Sequence, residues 1–333
     1  GSLQSSMAFG AMTGRSCGFL RGGSCARRLT SKHGSLARLV SLRCWAASTI
    51  WPTAVCVMHS NPMALASAGT CHTCSVQEDG ELVCFGCNYD RQCDVPDDLG
   101  QVVAVYTGSH HTCALKPNGR LVCFGLNQNK QCDVPENLGA VVAVSAGSHH
   151  TCAVKSDGQL VCFGYNYAGE CDVPEDLGPV VTVSAGSAHT CAIKTDGQLV
   201  CFGSNKDHQC EVPKDLGVVV SVSTGYCHTC AVKVSGQLVC FGCNYNHRCD
   251  APNGLGPVVA VSAGSRHTCA LKTDGQLVCF GYNNAGECNV PNDLGPVVAV
   301  SAGDYHTYAV KPDGRQVCFG SNGHGQCNAP QRY

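Results

Sequence analysis

From residue 63 onward, short apolar runs recur and end at glycine. Val141-Val142-Ala143-Val144-Ser145-Ala146-Gly147 is one of them. A short β-branched run that stops at Gly reads as a strand. Two further apolar stretches follow it, "HTCAVK" (150–155) and "QLVCFG" (159–164), on either side of Ser156-Asp157-Gly158. Gly closes this loop in every copy, at Gly80, Gly119, Gly158, Gly197, Gly236, Gly275 and Gly314. A three-residue loop ending in Gly predicts a hairpin made of a type I turn and one left-handed residue, a conformation Gly adopts without steric cost. That loop fixes the register: Lys155 opposite Gln159, Val154 opposite Leu160, Ala153 opposite Val161 and Cys152 opposite Cys162. Because side chains alternate, Cys152, Val154, Leu160 and Cys162 share one face, and Ala153 and Val161 share the other. Both faces are apolar and only the turn is polar, so the sheet is expected to be buried on both sides with one wet rim. A fourth, poorer strand is expected around "ECDVP" (170–174), where Pro174 suits an edge. No helical periodicity is present.

The words repeat every 39 residues. The Cys of "HTC" falls at 74, 113, 152, 191, 230 and 269, with Tyr308 in the seventh place. A second Cys falls at 84, 123, 162, 201, 240, 279 and 318, and a third at 93, 132, 171, 210, 249, 288 and 327. A period of this size means a solenoid, a propeller or an array of one supersecondary unit. Seven units fill residues 63–333. The last unit stops before any further "DLGPVVAVSAG". The weak strand "MALASAG" (63–69) is therefore expected to complete a ring beside the C-terminal strands.

The segments "VSAGSHHTCAV" (144–154), "AGSRHTCAL" (263–271), "CFGYNNAGEC" (279–288) and "FGSNGHGQC" (319–327) resemble the repeats of the regulator of chromosome condensation family. The resemblance covers 63–333 and implies an all-β fold, a seven-bladed β-propeller of four-stranded blades. Phe stands where the family often has Trp, and Cys where the last Leu of N-x-x-G-Q-L is usual. The founding member promotes nucleotide exchange on a small GTPase through an inserted wedge. Seven uninterrupted units contain no such insertion. The resemblance thus implies a non-catalytic protein-binding scaffold first, with a guanine-nucleotide exchange factor for a small GTPase as the alternative.

Charge divides the chain. Residues 1–62 hold seven of its 22 Lys and Arg and none of its 24 Asp and Glu. This basic, acid-free leader has the composition of a transit peptide. The run at 44–58, with "ALA" (64–66) near a cleavage point, is the alternative reading as a secretory signal. A leader with no address leaves the protein cytoplasmic, so the compartment stays open, and the run is too short to span a bilayer. The remaining 271 residues carry 15 basic and 24 acidic side chains, a net of −9. Phosphate backbones repel such a body, which argues against nucleic acid as a partner.

With 28 Cys in the chain, thiol chemistry has to be weighed. Directly opposed Cys on a hairpin can be bridged. Six pairs qualify: Cys74–Cys84, Cys113–Cys123, Cys152–Cys162, Cys191–Cys201, Cys230–Cys240 and Cys269–Cys279. Cys318 has no such partner, because Tyr308 faces it. The other reading is Cys as a small buried hydrophobe. Two units carry extra Cys, as Cys71, Cys74, Cys84, Cys87 and as Cys227, Cys230, Cys240, Cys243. Four thiolates at this spacing could hold zinc. The same register puts Cys71 opposite Cys87, so a second bridge or free thiols are equally open; no cofactor is the favoured expectation, and a metal- or redox-responsive propeller is the further alternative.

One His recurs per unit: His72, His111, His150, His189, His228, His267 and His306. Recurrence at one place points to structure, each ring bonding a backbone group to tie neighbouring units. No Ser-His-Asp set, paired carboxylates or phosphate-cradling loop stands apart from the repeat, so no enzyme is expected. The variable positions before each His and after each "FG" lie at the same end of the hairpin. Tyr89, Arg91, His110, His149, Tyr165, Tyr226, Tyr245, Arg248, Arg266 and Tyr305 gather there. Tyr and Arg are favoured at interface hot spots, which makes this end the candidate protein-binding face.

Overall fold

The computed structural model describes residues 66–329. The basic leader, residues 63–65 of the first expected strand and residues 330–333 lie outside the described residues. The described chain is all-β apart from one short 3-10 turn at Tyr245–His247. It forms seven antiparallel three-stranded sheets, one per 39-residue unit. The third is representative: Val141–Ala146, His150–Lys155 and Leu160–Gly164. Its register pairs Cys152 with Cys162, Ala153 with Val161 and Val154 with Leu160. At the turn, Gly158 has φ +86° and its N–H donates to the Lys155 carbonyl at 2.9 Å.

Among the described residues each of the seven sheets has three strands, without the expected fourth. Around Glu170–Pro174 the chain bonds locally instead. The Asn166 Oδ1 accepts the Cys171 N–H at 2.8 Å, and its Nδ2 donates to Asp172 at 2.6 Å. An Asn-centred turn uses up the backbone groups that a ladder would need. The loop then returns inward on a buried Leu: Leu99, Leu138, Leu177, Leu216 and Leu294 are each 3–4% exposed.

Middle strands such as His150–Lys155 are buried along nearly their whole length, because each sheet is covered on both faces. The core lies between sheets. Leu115 and Leu121 of the second unit pack with Val141, Val144 and Ala153 of the third. The same packing joins last to first: Ala68 packs with Tyr308 and Val310. The first strands are innermost, their last residues Ala68, Ala146 and Ala185 lining a small axial cavity. The seven sheets therefore succeed one another as the blades of a ring.

At the closure the first strand lies beside the last blade without joining its sheet. Ala66–Ala68 pairs with His72–Val76 of its own hairpin rather than with the C-terminal strands. It meets the last blade edge-on, where the Ala68 N–H donates to Ser301 Oγ at 2.9 Å.

The six expected hairpin pairs are disulfide-bonded, each with Cα atoms 4.1 Å apart. In the chain-entropy view, each stabilises by about 2–3 kcal/mol. A seventh bond joins Cys318 to Cys327. This corrects the reading of Cys318 as unpartnered: with Tyr308 filling the place across the hairpin, Cys318 turns to the third Cys of its own unit. The other third-set thiols serve differently. Cys93, Cys132 and Cys171 donate to the carbonyls of Cys87, Leu126 and Tyr165 at 3.3–3.4 Å. Burial pushes these three thiols up to about 12, which leaves them poor nucleophiles at neutral pH.

Candidate functional site

The recurring His and Thr form a rail around the ring. His111 Nε2 meets Thr151 Oγ1 at 2.9 Å and His150 Nε2 meets Thr190 Oγ1 at 2.9 Å, each bond crossing to the next blade. His306 closes the circuit on Thr73 at 2.9 Å. Each Thr hydroxyl donates onward to a backbone carbonyl, as Thr151 does to Gln131 at 2.8 Å. A hydroxyl that donates there must accept from the His, so Nε2 carries the proton. The expected tie between units is present, but its partner is a Thr side chain rather than a backbone group. All seven His are fully buried. Burial is the first cause and neighbouring His the second that push His72, His111, His150 and His267 down to about 3. Burial alone takes His189 and His306 to about 4. Neutral, buried and engaged, these rings are framework.

The variable positions lie beyond the rail, at the end of each blade opposite the Gly turn. There the loop after "FG" is pinned to the residue before His, for example by Leu126 N–H to His110 carbonyl at 2.8 Å and Tyr165 N–H to His149 carbonyl at 2.9 Å. Neighbouring blades bring these side chains into contact. His110 stacks on His149 with centroids 6.3 Å apart, His149 meets Tyr165 edge-on, and Tyr165 stacks on Tyr167. His110 also pairs with Asp90 of the first blade at 3.1 Å. On the other side, the Arg266 guanidinium lies between the rings of Tyr282 and Tyr305, 5.6 and 5.7 Å from their centroids. Tyr89 meets His324 across the closure. Tyr167, Tyr282, Asp90 and His324 had not been singled out; they occupy the same variable tips and could have been found by reading every tip position.

Exposure sorts the expected residues. Tyr89, Tyr167 and Tyr245 are 84%, 86% and 77% exposed, and Tyr226 and Arg266 also reach solvent. Arg91 is exposed at a backbone position of φ +62° where the third blade has Gly169. Tyr165 is less exposed, and His110, His149 and Tyr305 are half-buried. Arg248 does not belong to the accessible face. It is 4% exposed, because it takes the interior place held by Gln92, Gln131 and Gln209 elsewhere.

Cys74, Cys84, Cys230 and Cys240 are bonded in hairpin disulfides, so in each of the two units weighed as an alternative zinc site only two of the four Cys are free thiols. Among the described residues no three His, Cys, Asp or Glu side chains converge as metal ligands. At the axis, Thr70, Ser109, Ser148, Ser187, Tyr226, Ser265 and Asp304 line a polar cavity of about 90 Å³. No described helix is long and apolar enough to cross a membrane.

The family model described as "Regulator of chromosome condensation (RCC1) repeat" matches residues 102–131, 141–170, 180–209, 219–248, 258–287 and 297–326. No curated protein sequence matches the chain. In three dimensions the chain is similar to the ectodomain of the receptor kinase CR4 from Physcomitrella patens, 24% identical with TM-score 0.67 over 77% of this chain and 73% of that one. It is similar to the CRINKLY WD40 ectodomain of the receptor kinase ACR4 from Arabidopsis thaliana, 23% identical with TM-score 0.64 over 78% and 97%. It is also similar to Prp20p of Saccharomyces cerevisiae, 17% identical with TM-score 0.63 over 79% and 83%, a structure described with that protein's binding properties to Gsp1p and histones. At these identities the likeness concerns the fold.

Proposed function

Because the chain belongs to the regulator of chromosome condensation (RCC1) repeat family, we propose that it is a non-catalytic scaffold that binds a protein partner on the face built from the variable blade tips. The observation that carries this reading is the set of exposed aromatic rings on that face, Tyr89, Tyr167 and Tyr245, held on a cross-linked ring. Large rigid side chains that lose little entropy on binding are the usual anchors of interfaces. The net charge of −9 over residues 63–333 supports a protein rather than a nucleic acid as the partner. Seven disulfides support a compartment that keeps them oxidised, and the acid-free leader supports an organellar or secretory address. The fold likeness to Prp20p, described as binding Gsp1p, supports exchange on a small GTPase as the second reading.

Affinity capture from the protein's source with wild type and with the Tyr89→Ala/Tyr167→Ala/Tyr245→Ala variant tests this. Hot-spot losses of 2 kcal/mol or more each predict at least ~30-fold weaker binding of the captured partner by the variant. A control variant at the opposite rim, Lys155→Ala/Asp157→Ala, will bind as wild type does. Equal binding by the aromatic variant, or loss confined to the rim variant, contradicts the reading. Stimulated nucleotide release from a small GTPase would replace it with the exchange reading.

A further inference from the structure

Blades one and five carry a feature the other five lack. One step past the paired strands, the second blade sets His110 opposite Leu126 and the third sets His149 opposite Tyr165. The first sets Cys71 opposite Cys87, and the fifth sets Cys227 opposite Cys243. A backbone bond of 2.8 Å joins each Cys pair, from the Cys87 N–H to the Cys71 carbonyl and from the Cys243 N–H to the Cys227 carbonyl. Opposed residues of a hydrogen-bonded antiparallel pair have Cα atoms about 5.5 Å apart, within the span a disulfide bridges. All four thiols are free, and Cys87, Cys227 and Cys243 are buried.

The two pairs differ in their surroundings. In the fifth blade the interior residue that follows is Arg248, where the first blade has Gln92. Arg248 Nε donates to the Tyr245 carbonyl at 2.8 Å. One terminal nitrogen donates to the Ser265 carbonyl at 3.1 Å and to Cys227 Sγ at 3.3 Å. A guanidinium keeps its charge, and a buried cation is costly without an anion beside it. Among these three partners only the thiol can become one. A carboxylate opposes a thiolate in both blades, Asp304 near Cys71 and Asp207 near Cys227, so Arg248 is what sets the fifth blade apart.

We propose that Cys227 and Cys243 are a thiol–disulfide exchange site whose substrate is a low-molecular-weight disulfide of the glutathione class, with Cys227 as the attacking sulfur. Cys227 loses its proton to solvent, and its thiolate, held by Arg248, attacks one sulfur of the disulfide. That S–S bond breaks, one glutathione leaves as a thiolate and takes up a proton, and a mixed disulfide remains on Cys227. Cys243 then loses its proton and attacks the Cys227 sulfur, expelling the second glutathione, which is protonated in turn. Two protein thiols are oxidised to a disulfide and one small disulfide is reduced to two thiols, so no other oxidant is needed. Burial holds Cys227 up at about 12, with Cys243 and Asp207 adding and Arg248 opposing. The exchange is therefore slow at neutral pH and quickens as pH rises.

The test incubates the full chain with glutathione disulfide at mildly alkaline pH, quenches with an alkylating reagent, and maps disulfides by peptide mass spectrometry. Because only Cys227 has a guanidinium against its sulfur, the Cys227–Cys243 bond will form faster than Cys71–Cys87, by about tenfold if that contact favours the thiolate by about 1.4 kcal/mol. Arg248→Gln will bring its rate down to that of the first-blade pair. Cys243→Ser will leave glutathione trapped on Cys227. Equal rates for the two pairs in wild type overturn the proposal without any variant. An unchanged rate in a folded Arg248→Gln protein, no adduct on Cys227 in Cys243→Ser, or a zinc ion bound by the pair would overturn it as well.

Discussion

Between pH 7 and pH 5 the ring will lose most of its stability, well before its carboxylates titrate. The seven rail His are held below the ordinary value of 6.5, six of them at about 3 to 4 and His228 well below it by burial and the nearby Arg248. With the folded values depressed, the unfolded chain takes up protons first. Stability is then fully present above pH 6.5 and lost as pH falls from 6.5 toward 4. Linkage gives about 1.4 kcal/mol per His per pH unit in that window, so seven titrating together approach ~10 kcal/mol for a single unit. Domains commonly have only about 5–15 kcal/mol in total. Urea midpoints measured at half-unit steps from pH 7.5 to 4.5, with the disulfides intact, will fall steeply below 6.5. A flat profile down to pH 5 would mean that the rings are not buried and neutral.

Gly147→Ala will destabilise the protein by about 3 kcal/mol, the upper end for overpacking a filled site. A Cβ at Gly147 would lie 2.5 Å from the Gly186 carbonyl oxygen and 2.6 Å from His150 Cε1. The carbonyl cannot yield, because it accepts the Ser148 N–H at 3.0 Å as part of the contact between blades. Gly178→Ala is the control. Its φ of +69° is uncomfortable for Ala, but nothing lies within 4 Å of the added carbon. It will cost about 1 kcal/mol. Equal losses at the two sites, read from urea unfolding, would show that the blades do not approach this closely.

The hairpin register was legible because a three-residue turn ending in Gly leaves no freedom: once Gly158 is placed, Cys152 must face Cys162. The seven units and their two-sided burial followed from the spacing of the same words. What escaped was decided by side chains competing with the ladder. Asn166 draws the chain into a turn where the segment ending at Pro174 suggested an edge strand. Cys318–Cys327 arises because Tyr308 occupies the opposed place, so the thiol reaches along its own unit, a direction that cross-strand arithmetic does not consider. Arg248 looks like a surface residue by type. Its position is that of the interior Gln of the other units, and position prevailed. The aromatic clusters depend on which tips adjoin between blades, so the placing of Tyr282 and Tyr305 on Arg266 is a contact that no single repeat shows.

The rail makes a demand on the two ends of the chain that an open array does not. Thr73 Oγ1 binds His306 Nε2 and the Gln326 carbonyl, both at 2.9 Å, as Thr151 Oγ1 binds His111 Nε2 at 2.9 Å and the Gln131 carbonyl at 2.8 Å. Thr→Val removes the hydroxyl and keeps the shape, leaving buried partners unpaired at a cost of about 1–3 kcal/mol. The deciding measurement is the urea midpoint of Thr73→Val beside that of Thr151→Val. Similar losses at both sites are the result a closed ring predicts. An undiminished midpoint for Thr73→Val, with a clear loss for Thr151→Val, would show that the first and last blades do not meet.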